Sequence, residues 1–332
     1  MKRITLFLSI LLLALTSHAG EDPPAPQIVN VLGRQTVSLD GLWKTIVDPY
    51  ENGYYNYRMQ PHSDAGSYFA DRNFDADRTV LYEYNFNTDY TLMVPGDWNT
   101  QRDKLYYYEG TVWYRNIFDW QPKPDRRTFI YFGAANYEAV VGLNGKKIAK
   151  HVGGYTPFNV EVTGMLKEEA NSLIVKVDNK RHADGVPTLN SDWWNYGGIT
   201  RDVMLVDVDP IYIENYICHL LPQPIGKKRQ IEFSVKLNKA EAGKEITLTI
   251  PELKLKQTVT TNDEGKATMI LTTSSSKKNA IQLWSPENPK LYHVDICMDG
   301  QTLTDEIGFR TIEAKGKQIL LNGNPIFLKG IC

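Results

Sequence analysis

The amino-acid sequence predicts an all-β protein built from antiparallel sandwiches, on three observations. Apolar side chains alternate with polar ones over many short stretches, as in Ile231, Phe233, Val235 and Leu237 set against Glu232, Ser234, Lys236 and Asn238. That period of two places one apolar face on a strand. Dipeptides that tolerate positive φ, namely Asn144-Gly145, Asp299-Gly300 and Asn322-Gly323, stand beside such stretches as hairpin turns. No segment carries a sustained 3.6-residue apolar period, so helices are not expected to build the core.

At 332 residues the chain is long enough for two or three domains with substantial cores. Its 37 Lys and Arg against 39 Asp and Glu leave a net charge of -2, which carries no signature of a nucleic-acid partner. Met1-Lys2-Arg3, the apolar run Ile4 to Leu15 and the small residues before Gly20 read as a signal peptide over 1–19. The apolar run is short for a membrane span, and no Cys stands at the cleavage site as a lipoprotein signal would require. A periplasmic or secreted product, with no membrane association beyond the signal peptide, is the expectation.

The first sandwich is expected over 20–209, its first strand running from Val37 to Val47. A polar, Tyr-rich insert from Asp48 to Tyr90 follows, too long and irregular to assign from the sequence. Leu173, Val175 and Val177 mark a later strand, and Asp202 to Val208 the last before a boundary at Asp209-Pro210. An immunoglobulin-like sandwich is expected over 210–312, with turns at Asn262 to Gly265 and a polar loop at Ser274 to Lys278. Two short strands, Gln318 to Leu321 and Ile326 to Leu328, fall in a last segment, 313–332.

Cys218, Cys297 and Cys332 allow at most one intrachain disulfide and match no metal-ligand spacing, so they read as small core side chains. No phosphate-binding Gly loop, zinc-protease motif or nucleophile elbow occurs, and the six His residues are scattered. The sequence therefore assigns no catalytic residue, no metal ligand and no cofactor. Aromatic residues instead concentrate in Val94 to Asn99, Tyr106 to Arg115 and Asp192 to Val203, alternating with amides and carboxylates. Flat rings beside hydrogen-bonding groups suit sugars, although sandwich cores use the same rings.

Taken in order, Leu39 to Trp43, Val94 to Trp98, Gly110 to Arg115, Leu143 to Gly145, Gly153 to Phe158 and Gly198 to Val203 resemble the sugar-binding domain of glycoside hydrolase family 2. Leu283-Trp284-Ser285-Pro286-Glu287-Asn288-Pro289-Lys290-Leu291-Tyr292 resembles the signature of that family's immunoglobulin-like domain. Gly308 to Arg310 and Leu321 to Gly330 resemble the approach to its catalytic (β/α)₈ barrel. The resemblance implies a jelly-roll-like sandwich, then an immunoglobulin-like sandwich, then the opening strands of a barrel truncated at Cys332. It implies a retaining β-glycosidase of β-galactosidase or β-glucuronidase type whose two glutamates, ~5–5.5 Å apart, belong to the barrel. The fragment itself is then expected to be inactive, with a carbohydrate substrate and its own missing barrel as partners. A homo-oligomer is an open option for the full-length enzyme.

For site residues, the resemblance puts Asp192 where family members reach sugar hydroxyls, against a competing reading as a turn cap. Tyr108 and Glu109 match a loop facing the barrel mouth in position only, against a plain solvated loop. Trp194 and Asn195, with Trp193 and Tyr196, either form a subsite wall or anchor their own loop. Arg201 and Asp202 read as a structural ion pair or strand-end contact. The alternative function is a non-catalytic carbohydrate-binding β-sandwich protein; against it stands the apolar stretch from Ile326 onward, which such a protein would leave uncovered.

Overall fold

The computed structural model describes residues 27–72, 84–222, 224, 228–274 and 280–330. The expected signal peptide, much of the polar loop at Ser274 to Lys278, and Cys332 lie outside them. Ten strands make the first sandwich: β1 (Gln35–Ser38), β2 (Gly41–Asp48), β3 (Thr91–Val94), β4 (Thr111–Phe118), β5 (Arg127–Phe132), β6 (Glu138–Leu143), β7 (Lys146–Val152), β8 (Phe158–Glu161), β9 (Asn171–Asp178) and β10 (Val203–Val208). They form an antiparallel six-stranded sheet, β3-β2-β4-β9-β6-β7, facing a four-stranded one, β1-β10-β5-β8. Alternation decides which side chains meet between them. Val112 and Tyr114 of β4 point into the core with Trp43, Val175, Ile130 and Leu205, while Trp113 between them points outward.

The single strand expected from Val37 to Val47 is two strands in different sheets. The chain turns at Leu39-Asp40-Gly41, where Gly41 adopts φ 133° and the Leu39 carbonyl accepts hydrogen bonds from Trp43 Nε1 (2.9 Å) and Asn116 Nδ2 (2.8 Å). A β-branched or bulky residue disfavours that backbone angle, which is why the break falls at the glycine.

The insert that resisted assignment covers the outer face of the six-stranded sheet. Phe69 and Phe86 close a small core with Ile46, Trp113, Val140 and Ile174. Phe69 sits edge-on to Trp113 with ring centroids 4.9 Å apart, over Gly142, where a Cβ would fall 2.2 Å from the Phe69 ring. Asp48, fully buried, starts the insert by accepting the backbone N–H groups of Asn52 (3.0 Å) and Gly53 (2.9 Å) and Trp113 Nε1 (3.0 Å). The insert thus gives the sheet a second covered face, a function its polar composition conceals.

The second sandwich contains β11 (Ile213–Leu220), β12 (Gln230–Leu237), β13 (Glu245–Ile250), β14 (Leu255–Thr260), β15 (Lys266–Thr272), β16 (Tyr292–Met298) and β17 (Gln301–Ile307). The sheets β11-β12-β15 and β14-β13-β16-β17 enclose their own core around Phe233, Leu248, Val294 and Ile296. Asn144-Gly145, Asp299-Gly300 and Asn322-Gly323 all turn hairpins, each pair with positive φ at both residues. Cys218 is a buried free thiol; Cys297 is a free, half-buried one rather than a core side chain.

The segment Ile28 to Arg34 straps the sandwiches together. Asn30 Nδ2 donates to Tyr216 Oη (2.9 Å) and to the Thr304 carbonyl (2.8 Å), and Arg34 Nη2 donates to the Ile213 carbonyl (2.6 Å). A small sheet of β18 (Ile312–Lys315), β19 (Gln318–Leu321) and β20 (Asn324–Pro325) follows. The last strand is Asn324–Pro325; of the strand expected at Ile326 to Leu328 only Ile326 continues the pairing, its N donating to the Ile319 carbonyl (3.0 Å), and Phe327 and Leu328 are exposed.

Candidate functional site

The three aromatic stretches of the sequence converge on one end of the first sandwich. The cis peptide Val94-Pro95 leads into Gly96, whose N–H bonds the Ile199 carbonyl (2.8 Å), and Trp98 N bonds the Gly197 carbonyl (2.9 Å). Asp97 caps the short helix α1 (Trp98–Gln101), accepting from Thr100 N at 2.7 Å. The paired glycines are required by this contact. A Cβ at Gly197 would stand 2.0 Å from the Trp98 ring, and Gly198, at φ 140°, lies against the Gly96 carbonyl.

Beneath the surface, four buried asparagines hold the loops together. Asn99 Nδ2 donates to the carbonyls of Leu105 (3.0 Å) and Tyr108 (3.1 Å), and its Oδ1 accepts from Gly197 N (2.9 Å). Asn179 Oδ1 accepts from Gly110 N (2.8 Å), and its Nδ2 donates to the Asn195 carbonyl (2.7 Å). Asn195 returns a hydrogen bond to the Asn179 carbonyl, and its Oδ1 accepts from Asn136 Nδ2 at 3.0 Å. An amide carries both donors and an acceptor, so Asn is suited to joining non-adjacent loops where no ladder exists.

Above this layer is a cleft of about 210 Å³ lined by Asn99, Tyr107, Glu109, Arg181, Ser191, Asp192, Trp193, Trp194 and Asn195. Arg181 forms its wall: Nε meets both oxygens of Glu109 (3.0 and 3.2 Å), Nη1 donates to the Ser191 carbonyl (2.7 Å) and Nη2 to that of Trp193 (3.0 Å). Trp194 stands against Tyr106 and Tyr107 at centroid distances of 4.9 and 5.4 Å. Tyr107 is 82% exposed, so the aromatic group is a surface and not a core. Asp192 is exposed and makes no hydrogen bond or ion pair with any described residue.

Of the five residues expected at the site, Asp192, Glu109, Trp194 and Asn195 therefore line one cleft. Asn195 contributes as a buried support, its amide turned into the asparagine layer. Tyr108 is turned inward: its hydroxyl donates to the Thr111 carbonyl (2.9 Å) and its ring contacts Trp98. Burial, then the carboxylates of Asp48 and Asp178, push that hydroxyl well above the ordinary tyrosine range. Glu109 is ion-paired and not simply solvated. Arg201 and Asp202 form no ion pair with each other; Arg201 donates to the Tyr155 carbonyl at 3.2 Å.

Sequence reasoning missed Arg181, Asn99 and Asn179. Asn99 lay inside a noted motif, whereas Arg181, in Lys180-Arg181-His182, has no local signal at all. The neighbouring Lys180 reaches the other way, to Glu51 Oε2 at 2.8 Å, with fully buried Lys176 on Oε1 at 3.1 Å. Burial alone would raise the Glu51 carboxyl, but the hydrogen bonds and charges of Lys180 and Lys176 outweigh it and hold the group at about 2.

Comparison with known proteins agrees with the two-sandwich fold. The family model described as Glycosyl hydrolases family 2, sugar binding domain, matches residues 37–209, and the one described as Glycosyl hydrolases family 2 matches residues 213–310. A putative β-glucuronidase of Formosa agariphila is 24% identical over 308 residues, covering 85% of this chain and 35% of that protein. A β-galactosidase of Thermoanaerobacterium thermosulfurigenes is 31% identical over 232 residues, covering 62% of this chain and 31% of that protein. Among solved structures, a β-glucuronidase from an uncultured Clostridium sp. superposes with a TM-score of 0.67 at 29% identity, over 90% of this chain and 48% of that one. The Bifidobacterium dentium β-glucuronidase complexed with coumarin-3-O-glucuronide shares the fold, with a TM-score of 0.71 at 22% identity over 90% and 52% of the two chains. The chain spans about half the length, or less, of the curated relatives it matches. With the sugar-binding model matching more than half of its residues and a second model of the same family following directly, this chain belongs to glycosyl hydrolase family 2.

Proposed function

We infer that this chain is the non-catalytic front of an exported β-glycosidase, of β-glucuronidase or β-galactosidase type, divided into a signal peptide (1–19), a sugar-binding unit (20–209), an immunoglobulin-like unit (210–312) and the approach to a catalytic barrel (313–332). The observation that carries the reading is the unpartnered Asp192 carboxylate, on a loop held by Arg181, beside the rings of Trp194 and Tyr107. An ionised carboxylate accepts hydrogen bonds only, and two vicinal sugar hydroxyls supply two donors. Trp194 and Tyr107 offer flat faces to the C–H side of a ring. These residues orient a sugar; the pair of carboxyls that protonates the leaving oxygen and attacks the anomeric carbon is assigned to the barrel.

Three measurements test this. Purified chain is expected to release no nitrophenol from nitrophenyl β-D-glucuronide or β-D-galactoside, and genuine turnover would sink the assignment of chemistry to the barrel. In the full-length protein, Asp192→Asn is expected to lower kcat/KM on the order of tenfold to a hundredfold, the worth of one or two charged hydrogen bonds. Micromolar binding of galactose or glucuronate at the Asp192 cleft by the chain alone would favour a free-standing carbohydrate-binding protein instead.

A further inference from the structure

The Asp192 cleft is built on a short connector, 178–181, whose successive side chains reach different parts of the chain. Asp178 Oδ1 accepts from Lys180 N (2.8 Å), closing a turn at the end of β9. Asn179 ties Gly110 to Asn195. Arg181 clasps Glu109 and the carbonyls of Ser191 and Trp193, the two residues that flank Asp192. Lys180, between them, points away from the cleft, to Glu51 of the insert at 2.8 Å.

Glu51 lines no part of the cleft, yet it touches both supports of the Arg181–Glu109 pair. Its Oε2 holds Lys180, the residue before Arg181, and its Oε1 accepts from Thr111 Oγ1 (3.2 Å), two residues after Glu109. Oε1 also faces Lys176 Nζ at 3.1 Å. Asp178 stands farther from the two ammonium groups, 3.8 Å from Lys176 and 3.9 Å from Lys180.

Two observations indicate that this carboxylate does more than fill space. Glu51 adopts φ 55°, a left-handed conformation that Gly or Asn reaches at lower cost. It is also largely buried, its side chain 13% exposed against 2% for Lys176. A buried ion pair is seldom a net gain over packed apolar side chains; what it supplies is direction, because charge-assisted hydrogen bonds fix the groups that make them. Neutralising Lys176 would take a single contact, whereas Glu51 spans β4, β9 and the connector at once.

We propose that Glu51 is a positioning residue for the Asp192 cleft: set between Thr111 and Lys180, it fixes the stems from which Glu109 and Arg181 reach each other, and so the loop that carries Asp192. The insert thereby sets the geometry of a site that it does not line. Its consequence for a sugar rests on the reading of the Asp192 cleft as the sugar site; the coupling between Glu51 and the cleft does not.

The test is amide hydrogen exchange on the whole chain, read at residues 191–194. Glu51→Gln and Lys180→Met are each expected to speed exchange there by about fivefold or more, the loss of a charge-assisted hydrogen bond. The Lys180 side chain is 38% exposed, and replacing it leaves the Glu51–Lys176 pair in place, so this variant separates positioning from the neutralisation of Lys176. Beside Arg181→Met, Glu51→Gln should add less than about twofold, because its path runs through Arg181. Phe69→Ala, which unpacks the insert elsewhere, should leave 191–194 unchanged although it lowers global stability. In the full-length protein, Glu51→Gln is expected to raise KM for the nitrophenyl glycoside about three- to tenfold, with kcat within about twofold of the parent. The proposal is overturned if either Glu51→Gln or Lys180→Met leaves exchange at 191–194 unchanged, if Phe69→Ala speeds it as much, or if the Glu51→Gln effect persists in full beside Arg181→Met. It is overturned as well if Glu51→Gln keeps the parental KM while Asp192→Asn lowers kcat/KM. An Asp192→Asn enzyme with parental kinetics would instead count against the sugar site, and the exchange results would still decide the role of Glu51.

Discussion

Arg181 and Glu109 are 72 residues apart in sequence and joined by two hydrogen bonds at 3.0 and 3.2 Å, and the same guanidinium holds the carbonyls of Ser191 and Trp193. One side chain thus sets the distance between the loop carrying Glu109 and the loop carrying Asp192. Both partners are near the surface, so the pair matters more for where it puts Asp192 than for global stability.

Replacing Arg181 by Met should therefore lower stability by only about 1–2 kcal/mol, read from urea unfolding. The larger effect should be local, with backbone amides of 191–194 exchanging faster with solvent. Unchanged protection of those amides would show that the loop is held by other contacts.

Asn195 has the opposite balance. It is 3% exposed, and its side chain accepts from Asn136 Nδ2 and donates to the Asn179 carbonyl, so Asn195→Leu removes two buried hydrogen bonds and leaves the Asn179 carbonyl without a donor. A loss of about 2–4 kcal/mol is expected in chemical denaturation. An effect below about 0.5 kcal/mol would mean that the buried amides find replacements.

Phe69→Ala tests the insert as a structural cover. A buried aromatic lost from a packed cluster costs about 3–5 kcal/mol, and solvent should then quench Trp113, which Phe69 shields. If Trp113 stays protected, the outer face of the sheet is covered by residues other than these.

The Glu51 site makes the protein sensitive to acid in a defined direction. Its folded pKa, about 2, lies below the ordinary 4.5, so the folded state favours the ionised form. The stabilisation is complete above about pH 5 and is lost as pH falls from there towards 2. Glu51→Gln should accordingly be less stable than the parent at pH 6, with the gap narrowing by pH 3; a gap independent of pH would rule out this origin.

Much of the architecture was legible because it rests on period-two alternation, which is local. Ile231 to Leu237 specifies a strand with one buried face wherever it lies, and Asp299-Gly300 specifies its turn through φ alone. The break at Gly41 was not legible, because Val37 to Val47 alternates well enough to read as one strand and only the two facing sheets divide it. The insert was opaque for a related reason: Phe69 and Phe86 become core residues only when the outer face of a sheet is there to receive them.

The site divides in the same way. Asp192, Trp194 and the paired glycines stood out in the sequence as residue types grouped in one short stretch. Arg181 and Asn179 did not, since an arginine or asparagine acquires its partners only when chain segments tens of residues away arrive beside it. By itself, then, the sequence determined the strands, their turns and the aromatic stretches. The tertiary structure alone decided which polar side chains became buried connectors and which, like Asp192, stayed exposed and unpaired. Alternation and φ act between neighbours along the chain, whereas hydrogen-bond satisfaction depends on every group that folding brings within about 3 Å.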